Sequence, residues 1–143
     1  MTENKSFEPL TDEDILANHE LNQRICDGMI KKDIELVMSC VWDSQDFVFV
    51  ATDGTVFFGS ENFRKATEEW FAAFETIDSV IDEVKFIPAG DSLLVVGKAT
   101  YTLTAEDGTI TKLPEVWTDV RKKIDGRWVM ILDHAHALMS RNQ

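Results

Sequence analysis

Apolar positions along this chain recur with two periods, and the change of period separates helices from strands. Up to about residue 74, one short hairpin apart, they return every three to four residues; beyond it they alternate one by one. Thr11 stands as a cap before Asp12, Glu13 and Asp14, three acids suited to the positive end of a helix dipole. The first helix is predicted to run to Met29 to Lys31, with Ile15, His19, Asn22, Cys26, Met29 and Ile30 on one side. Asp33 caps a second, short helix reaching about Cys40. Asp46 to Val50 and Thr55 to Gly59 flank Thr52-Asp53-Gly54 as a hairpin. Ser60 caps a third helix whose stripe is Phe63, Ala66, Thr67, Trp70 and Phe74. Four strands follow, at about Ser79 to Ile87, Ser92 to Ala105, Thr109 to Lys123 and Arg127 to Leu138, separated by turns at Pro88 to Asp91, Asp107-Gly108 and Asp125-Gly126. Residues 1 to about 9 and 140 to 143 are expected to be loose ends. Helices followed by a run of antiparallel strands indicate one α+β domain, with the helices on one face of the sheet.

Strand register decides which side chains meet those helices, because a slip of one residue exchanges the two faces. A two-residue turn at Asp125-Gly126 sets His134 opposite Trp117 and Met130 opposite Arg121, which lines the interior with charge. A three-residue loop, Ile124-Asp125-Gly126, sets His134 opposite Val116, Leu132 opposite Thr118 and Met130 opposite Val120. The second solution is preferred, since buried unpaired charges cost several kcal/mol. A two-residue Asp107-Gly108 turn then adds Val95, Gly97, Ala99 and Tyr101 to the interior, with Tyr101 opposite Pro114. At Gly97 and Ala99 the small side chains either leave volume unfilled or, at Gly97, permit strong curvature. The outer face would carry Leu94, Val96, Trp117, Val129 and Ile131, too much apolar area for a solvated sheet, so a homodimer packed through that face is expected.

Composition narrows the partners. Fourteen Lys and Arg against twenty-six Asp and Glu leave a net charge of -12, which disfavours nucleic acid and anionic membrane. No leader-like or membrane-spanning stretch is evident, so a cytoplasmic location is expected. Cys26 and Cys40 lack CxxC spacing and sit in helical apolar patterns, as buried free thiols do. No glycine-rich phosphate loop or GxSxG elbow is present, so no nucleotide cofactor is implied.

The acidic helical start, Lys32-Asp33 between the first helices, the DFVFVATDGTVFFGSENFRKA segment and the closing DGRWVMILDHAH together cover about residues 11 to 138. In these the chain resembles the SnoaL-like branch of the nuclear transport factor two-like superfamily, which includes ketosteroid isomerase and scytalone dehydratase. The resemblance implies a strongly curved, mostly antiparallel sheet wrapped against about three N-terminal helices as a cone-shaped, cystatin-like barrel with an internal pocket. It implies dimers as well, and it does not fix a reaction, because unrelated activities occupy this scaffold.

The chemical candidates follow from the preferred register. His134 and His136 end the inward stripe, and an imidazole can donate or accept a proton at neutral pH; they serve either catalysis or hydrogen bonding at the pocket end. With His19 they could hold a metal, but the pair lacks a clear carboxylate, so none is assigned. Tyr101 could donate to a substrate oxygen. Asp43 is either a base at the pocket mouth or a cap. His19 and Asn22 face the sheet from the first helix, Trp42 and Trp70 are core or ligand-stacking, and Val116, Thr118, Met130 and Leu132 line the wall. The expected occupant is a small apolar or mixed-polarity organic ligand. The expected chemistry is cofactor-independent isomerisation, dehydration or ring closure, with a non-catalytic binding or dimerising module as the alternative.

Overall fold

The structure, a computed structural model, describes residues 10–138, so both expected loose ends lie outside the described residues. Helices α1 (Asp12–Lys31) and α2 (Ile34–Met38), the short strands β1 (Val48–Val50) and β2 (Val56–Phe58) and helix α3 (Ser60–Ala73) precede four long strands. These are β3 (Thr76–Ala89), β4 (Ser92–Thr104), β5 (Ile110–Ile124) and β6 (Arg127–Ala137). The helix starts follow their caps: Thr11 Oγ1 accepts from the Asp14 N–H at 3.0 Å, and Asp33 Oδ1 from the Leu36 N–H at 3.1 Å. At Ser60 the expectation shifts by one residue, since Gly59 takes the cap position and the Ser60 hydroxyl donates to Asp43 Oδ1 at 3.1 Å instead.

The strands form one six-stranded sheet in the order β2-β1-β6-β5-β4-β3, antiparallel except for the parallel β1–β6 pair. Strands β2 and β3 are its two edges and do not pair with each other, so the sheet is open. This corrects the expected cone-shaped barrel: the α+β class holds, but closure does not occur. The core lies between the helices and one face, where Leu21, Val37, Phe47, Phe63, Leu93 and Val95 are buried together.

The two Asp-Gly connections between the long strands have the opposite lengths to those predicted. Glu106-Asp107-Gly108 is a three-residue loop, with the Ala105 N–H donating to the Thr109 carbonyl at 2.9 Å and Gly108 at φ 87. Asp125-Gly126 is the two-residue turn, with Ile124 paired to Arg127 and both turn residues at positive φ, 53 and 78. On β4 Val95, Gly97, Ala99 and Tyr101 face inward as expected, together with Leu93 and Leu103, but Tyr101 lies opposite Leu113 rather than Pro114. On β5 the inward set is Glu115, Trp117, Asp119 and Arg121 instead of Val116, Thr118 and Val120.

A β-bulge then divides β6. Arg121 pairs with Met130 and Val120 with Leu132, leaving Ile131 as the extra residue. Before the bulge Trp128 and Met130 face the helices; after it Asp133 and Ala135 do, and His134 and His136 turn to the opposite face, opposite Thr118 and Val116. The predicted apolar stripe from Trp128 to His136 is therefore broken in the middle. A similar bulge at Asp82 switches β3 from Ile77 and Ser79 to Val84 and Phe86.

The buried side of α1 is also rotated from the predicted one. It carries Asn18, Leu21, Asn22, Cys26 and Gly28, while Ile15, His19 and Ile30 are exposed. Asn18 and Asn22 belong to it because they hydrogen-bond a buried arginine, an interaction that apolar periodicity does not register.

Candidate functional site

Strand β5 brings two buried polar groups to the helix-facing side. The first is closed. Arg121 and Asp119 have fully buried side chains and form a two-point ion pair, with Nε to Oδ1 at 2.8 Å and an Nη2 N–H to Oδ2 at 3.0 Å. Nη1 donates to the Asn18 carbonyl at 3.1 Å and to Asn18 Oδ1 at 3.3 Å, and Nη2 also donates to Asn22 Oδ1. Five donated bonds match the five N–H groups of a guanidinium, so the arginine is fully satisfied. Trp117 Nε1 donates to Asp119 Oδ2 at 3.1 Å, and the Phe86 ring lies 5.9 Å from the guanidinium carbon. Burial raises the Asp119 carboxyl, and the Arg121 charge with the hydrogen bonds from Arg121 and Trp117 oppose the rise.

The second group is open. Glu115 is only 8% exposed, and its side chain makes no hydrogen bond among the described residues. It lies where two chambers meet. The inner chamber, about 60 Å³, is bounded by Asn22, Cys26, Ala99, Trp117 and Met130. The outer chamber, about 430 Å³, is walled by Phe49, Phe57, Trp70 and Leu113. Glu115, Asp133, Tyr101, Met29 and Phe63 line both. Burial alone lifts the Glu115 carboxyl to about 7. Asp133 stands directly opposite Asp119 across β5 and β6. Its carboxyl is pushed well above the usual range by burial first and then by the charges of Asp119 and Glu115, against Arg121 and the His134 backbone N–H. The Tyr101 phenol is raised well above its ordinary value by burial and by the Glu115 charge, so it remains a hydrogen-bond donor.

Gly97 serves this arrangement by absence. A Cβ there would stand 2.1 Å from the Trp117 indole, which occupies the space over the glycine. The volume that a small residue leaves on β4 is thus filled by a tryptophan from β5, and that indole holds Asp119.

Of the residues singled out from sequence, Tyr101, Asn22, Trp70 and Met130 line the chambers. Asn22 also carries a buried Nδ2 with no hydrogen-bond partner among the described residues. His134 and His136 are exposed on the other face, together with Thr118, and Val116 and Leu132 share that face. The bulge at Ile131 removes the inward orientation from which their roles were inferred. His19 is exposed, its ring 4.8 Å from that of Phe86. Asp43 is exposed and accepts the Ser60 hydroxyl, and Trp42 packs against the core. Of the expected dimer patch, Trp117 belongs to the cavity face and Val129 is buried within the chain. Leu94 and Val96 are exposed on the outer face as expected, and Val80 is exposed with them. Glu115, Asp119, Arg121, Asp133 and Asn18 were not anticipated. The available signal was the alternation Glu115-Trp117-Asp119-Arg121 against Val116-Thr118-Val120, which has a coherent polar side as well as a coherent apolar one.

Both cysteines are buried free thiols raised by burial, with Cys26 accepting the Ser79 hydroxyl at 3.5 Å. Among the described residues no helix is long and apolar enough to cross a membrane, and no group of three or more His, Cys, Asp or Glu is arranged to hold a metal ion.

Comparison with known proteins fits this architecture. A protein from Streptomyces avermitilis, provisionally assigned as a dehydratase of the nuclear transport factor two-like family, superposes with a TM-score of 0.80 at 19% identity, over 90% of this chain and 99% of its own. One from Novosphingobium aromaticivorans, provisionally assigned as an aromatic ring hydroxylase, gives 0.82 at 18% identity, over 92% and 94%. A nuclear transport factor two-like superfamily protein from Salmonella enterica serovar Typhimurium gives 0.78 at 16% identity, over 86% and 89%. At these identities the likeness is one of fold. No curated protein matches the chain in sequence. The sequence profile of the SnoaL-like domain matches residues 19–139, nearly the whole described chain, and the protein belongs to that family.

Proposed function

We propose that the cavity binds a small, largely apolar organic molecule and moves a proton on it without a cofactor. The carrying observation is Glu115, a buried carboxyl without a hydrogen-bond partner among the described residues, at the junction of the chambers and lifted to about 7. A base with a pKa near the working pH combines a useful ionised fraction with real proton affinity. In this reading the Glu115 carboxylate removes a proton from a carbon next to a carbonyl. The Tyr101 phenol donates a hydrogen bond to the oxygen on which charge develops, beside Asp133, whose carboxyl burial pushes well above the usual range. Returning the proton to a different carbon gives isomerisation; giving it to a departing hydroxyl gives dehydration. The proton-carrying role first read onto His134 passes to Glu115, because the imidazoles lie across the sheet from the cavity.

Exchange of the α-hydrogens of β-tetralone for deuterium, followed by proton NMR, tests this. The protein should accelerate exchange, the rate should rise through about pH 7 as Glu115 ionises, and Glu115→Gln should abolish the acceleration while the ketone still binds. Binding without Glu115-dependent exchange would support the non-catalytic binding module instead.

The reading also keeps a cytoplasmic protein without nucleic acid or membrane partners, in accord with the charge of -12. It keeps a homodimer through the outer face, now centred on Leu94 and Val96 beside Val120 and Leu132. Sedimentation of the wild type and of Val96→Lys tests that contact: a dimer in the first and a monomer in the second is expected.

A further inference from the structure

The lining of the cavity has a sign. Asp53, Glu69, Glu115, Asp119 and Asp133 line one chamber or both, and among the described residues no Lys, Arg or His lines either. Arg121, the buried cation nearby among the described residues, cannot serve an occupant, because its N–H groups go to Asp119, Asn18 and Asn22. Asp119 is already paired with Arg121, but Glu115 has no cation beside it, so an anionic ligand would find no counter-charge there. The outer wall adds the faces of Phe49, Phe57 and Trp70, and aromatic faces attract cations. Glu115 supplies the independent observation: it is more than nine-tenths buried, it has no hydrogen-bond partner among the described residues, and it borders both chambers.

We infer that the occupant is an organic cation, an apolar or aromatic body bearing a protonated amine, seated against the aromatic wall and facing Glu115. The inference rests on the reading that the cavity binds a small organic molecule, and it specifies the ligand's charge. Glu115 is faced by Asp133 from β6, by Tyr101 from β4 and by Cys26 from α1, with Asp119 and Arg121 further along its own strand and Glu69 on α3. None of the groups nearest to it is cationic, so an ammonium would be its first full counter-charge. Arrival of that charge favours ionised Glu115, so binding below about pH 7 should release a proton.

Three probes of matched shape separate the possibilities: phenethylamine, phenethyl alcohol and hydrocinnamate, compared by calorimetry with the full chain. At about pH 8 the amine should bind at least about tenfold more tightly than the alcohol, with the carboxylate weakest. At about pH 6, where Glu115 holds its proton, that preference should shrink. Glu115→Gln should lower it to within about threefold, and Glu69→Gln should reduce it by a smaller factor. Alcohol bound as well as amine at about pH 8 would overturn the inference and leave the cavity reading standing. A preference that survives Glu115→Gln unchanged would also overturn it, because attraction to the acidic surface would then be the cause. Failure of all three probes to bind would defeat this inference and the cavity reading together.

Discussion

Asp119 and Glu115 sit four residues apart on the same side of β5, both buried, and the fold treats them in opposite ways. Around Asp119 every demand is met: a two-point guanidinium, an indole N–H, and two asparagines holding the other side of Arg121. Around Glu115 there is a cavity and no hydrogen-bonding partner among the described residues. A buried charge that is fully paired is part of the structure and has little left to offer a ligand. One left unpaired raises its pKa and keeps its bonding capacity for whatever enters. The contrast, more than burial itself, separates scaffold from site on this strand.

Breaking the closed end should have the largest effect. Arg121→Met removes the cation from a fully buried pair and leaves Asp119 with two bonds lost, so a loss of about 3–5 kcal/mol is expected in urea unfolding at neutral pH. Relieving the open end should act in the other direction. The folded protein holds a proton on Glu115 that the unfolded chain has already released, between the ordinary glutamate value of 4.5 and about 7. Stability contributed by this group therefore falls as pH rises through that window, and the full penalty is present above it. Glu115→Gln should match wild type near the bottom of the window and exceed it by up to about 3 kcal/mol above the top, read from unfolding curves across pH. Gly97→Ala pushes a methyl into the Trp117 indole and disturbs its bond to Asp119, which should cost about 1–3 kcal/mol in thermal or urea unfolding. On the far face the effect should be smallest: His134→Ala with His136→Ala should change stability by less than about 0.5 kcal/mol and leave β-tetralone exchange unaltered.

The elements were legible because each rests on local chemistry. Thr11 and Asp33 act as caps, the apolar stripe of α3 faces the core, and the Asp-Gly pairs turn the chain. The inward set on β4 was legible too, since its alternation of Leu93, Val95, Gly97 and Ala99 with Lys98 admits one burial choice. The site was not, for two physical reasons. Asp107-Gly108 and Asp125-Gly126 present the same dipeptide, yet one closes a three-residue loop and the other a two-residue turn; the choice depends on pairing far from the turn. The bulge at Ile131 has no local marker, and it alone sends His134 outward and Asp133 inward. Rejecting the charged register because charge is costly to bury was sound for an unpaired group. It failed for Arg121, whose partners Asn18 and Asn22 lie about a hundred residues earlier and are brought to it only by the tertiary fold. Tyr101, Asn22, Trp70 and Met130 nonetheless reach the cavity, because β4, α1, α3 and the start of β6 precede the bulge and do not depend on it.

The most direct test is a carbon-13 NMR titration of side-chain carboxyls in glutamate-labelled protein, with Glu115→Gln used to assign the resonance. An unpartnered, buried Glu115 should titrate with a midpoint at about 7 and move when phenethylamine is added. A midpoint in the ordinary glutamate range near 4.3, unmoved by the amine, would mean that the carboxyl is solvated or already paired, and would contradict the account.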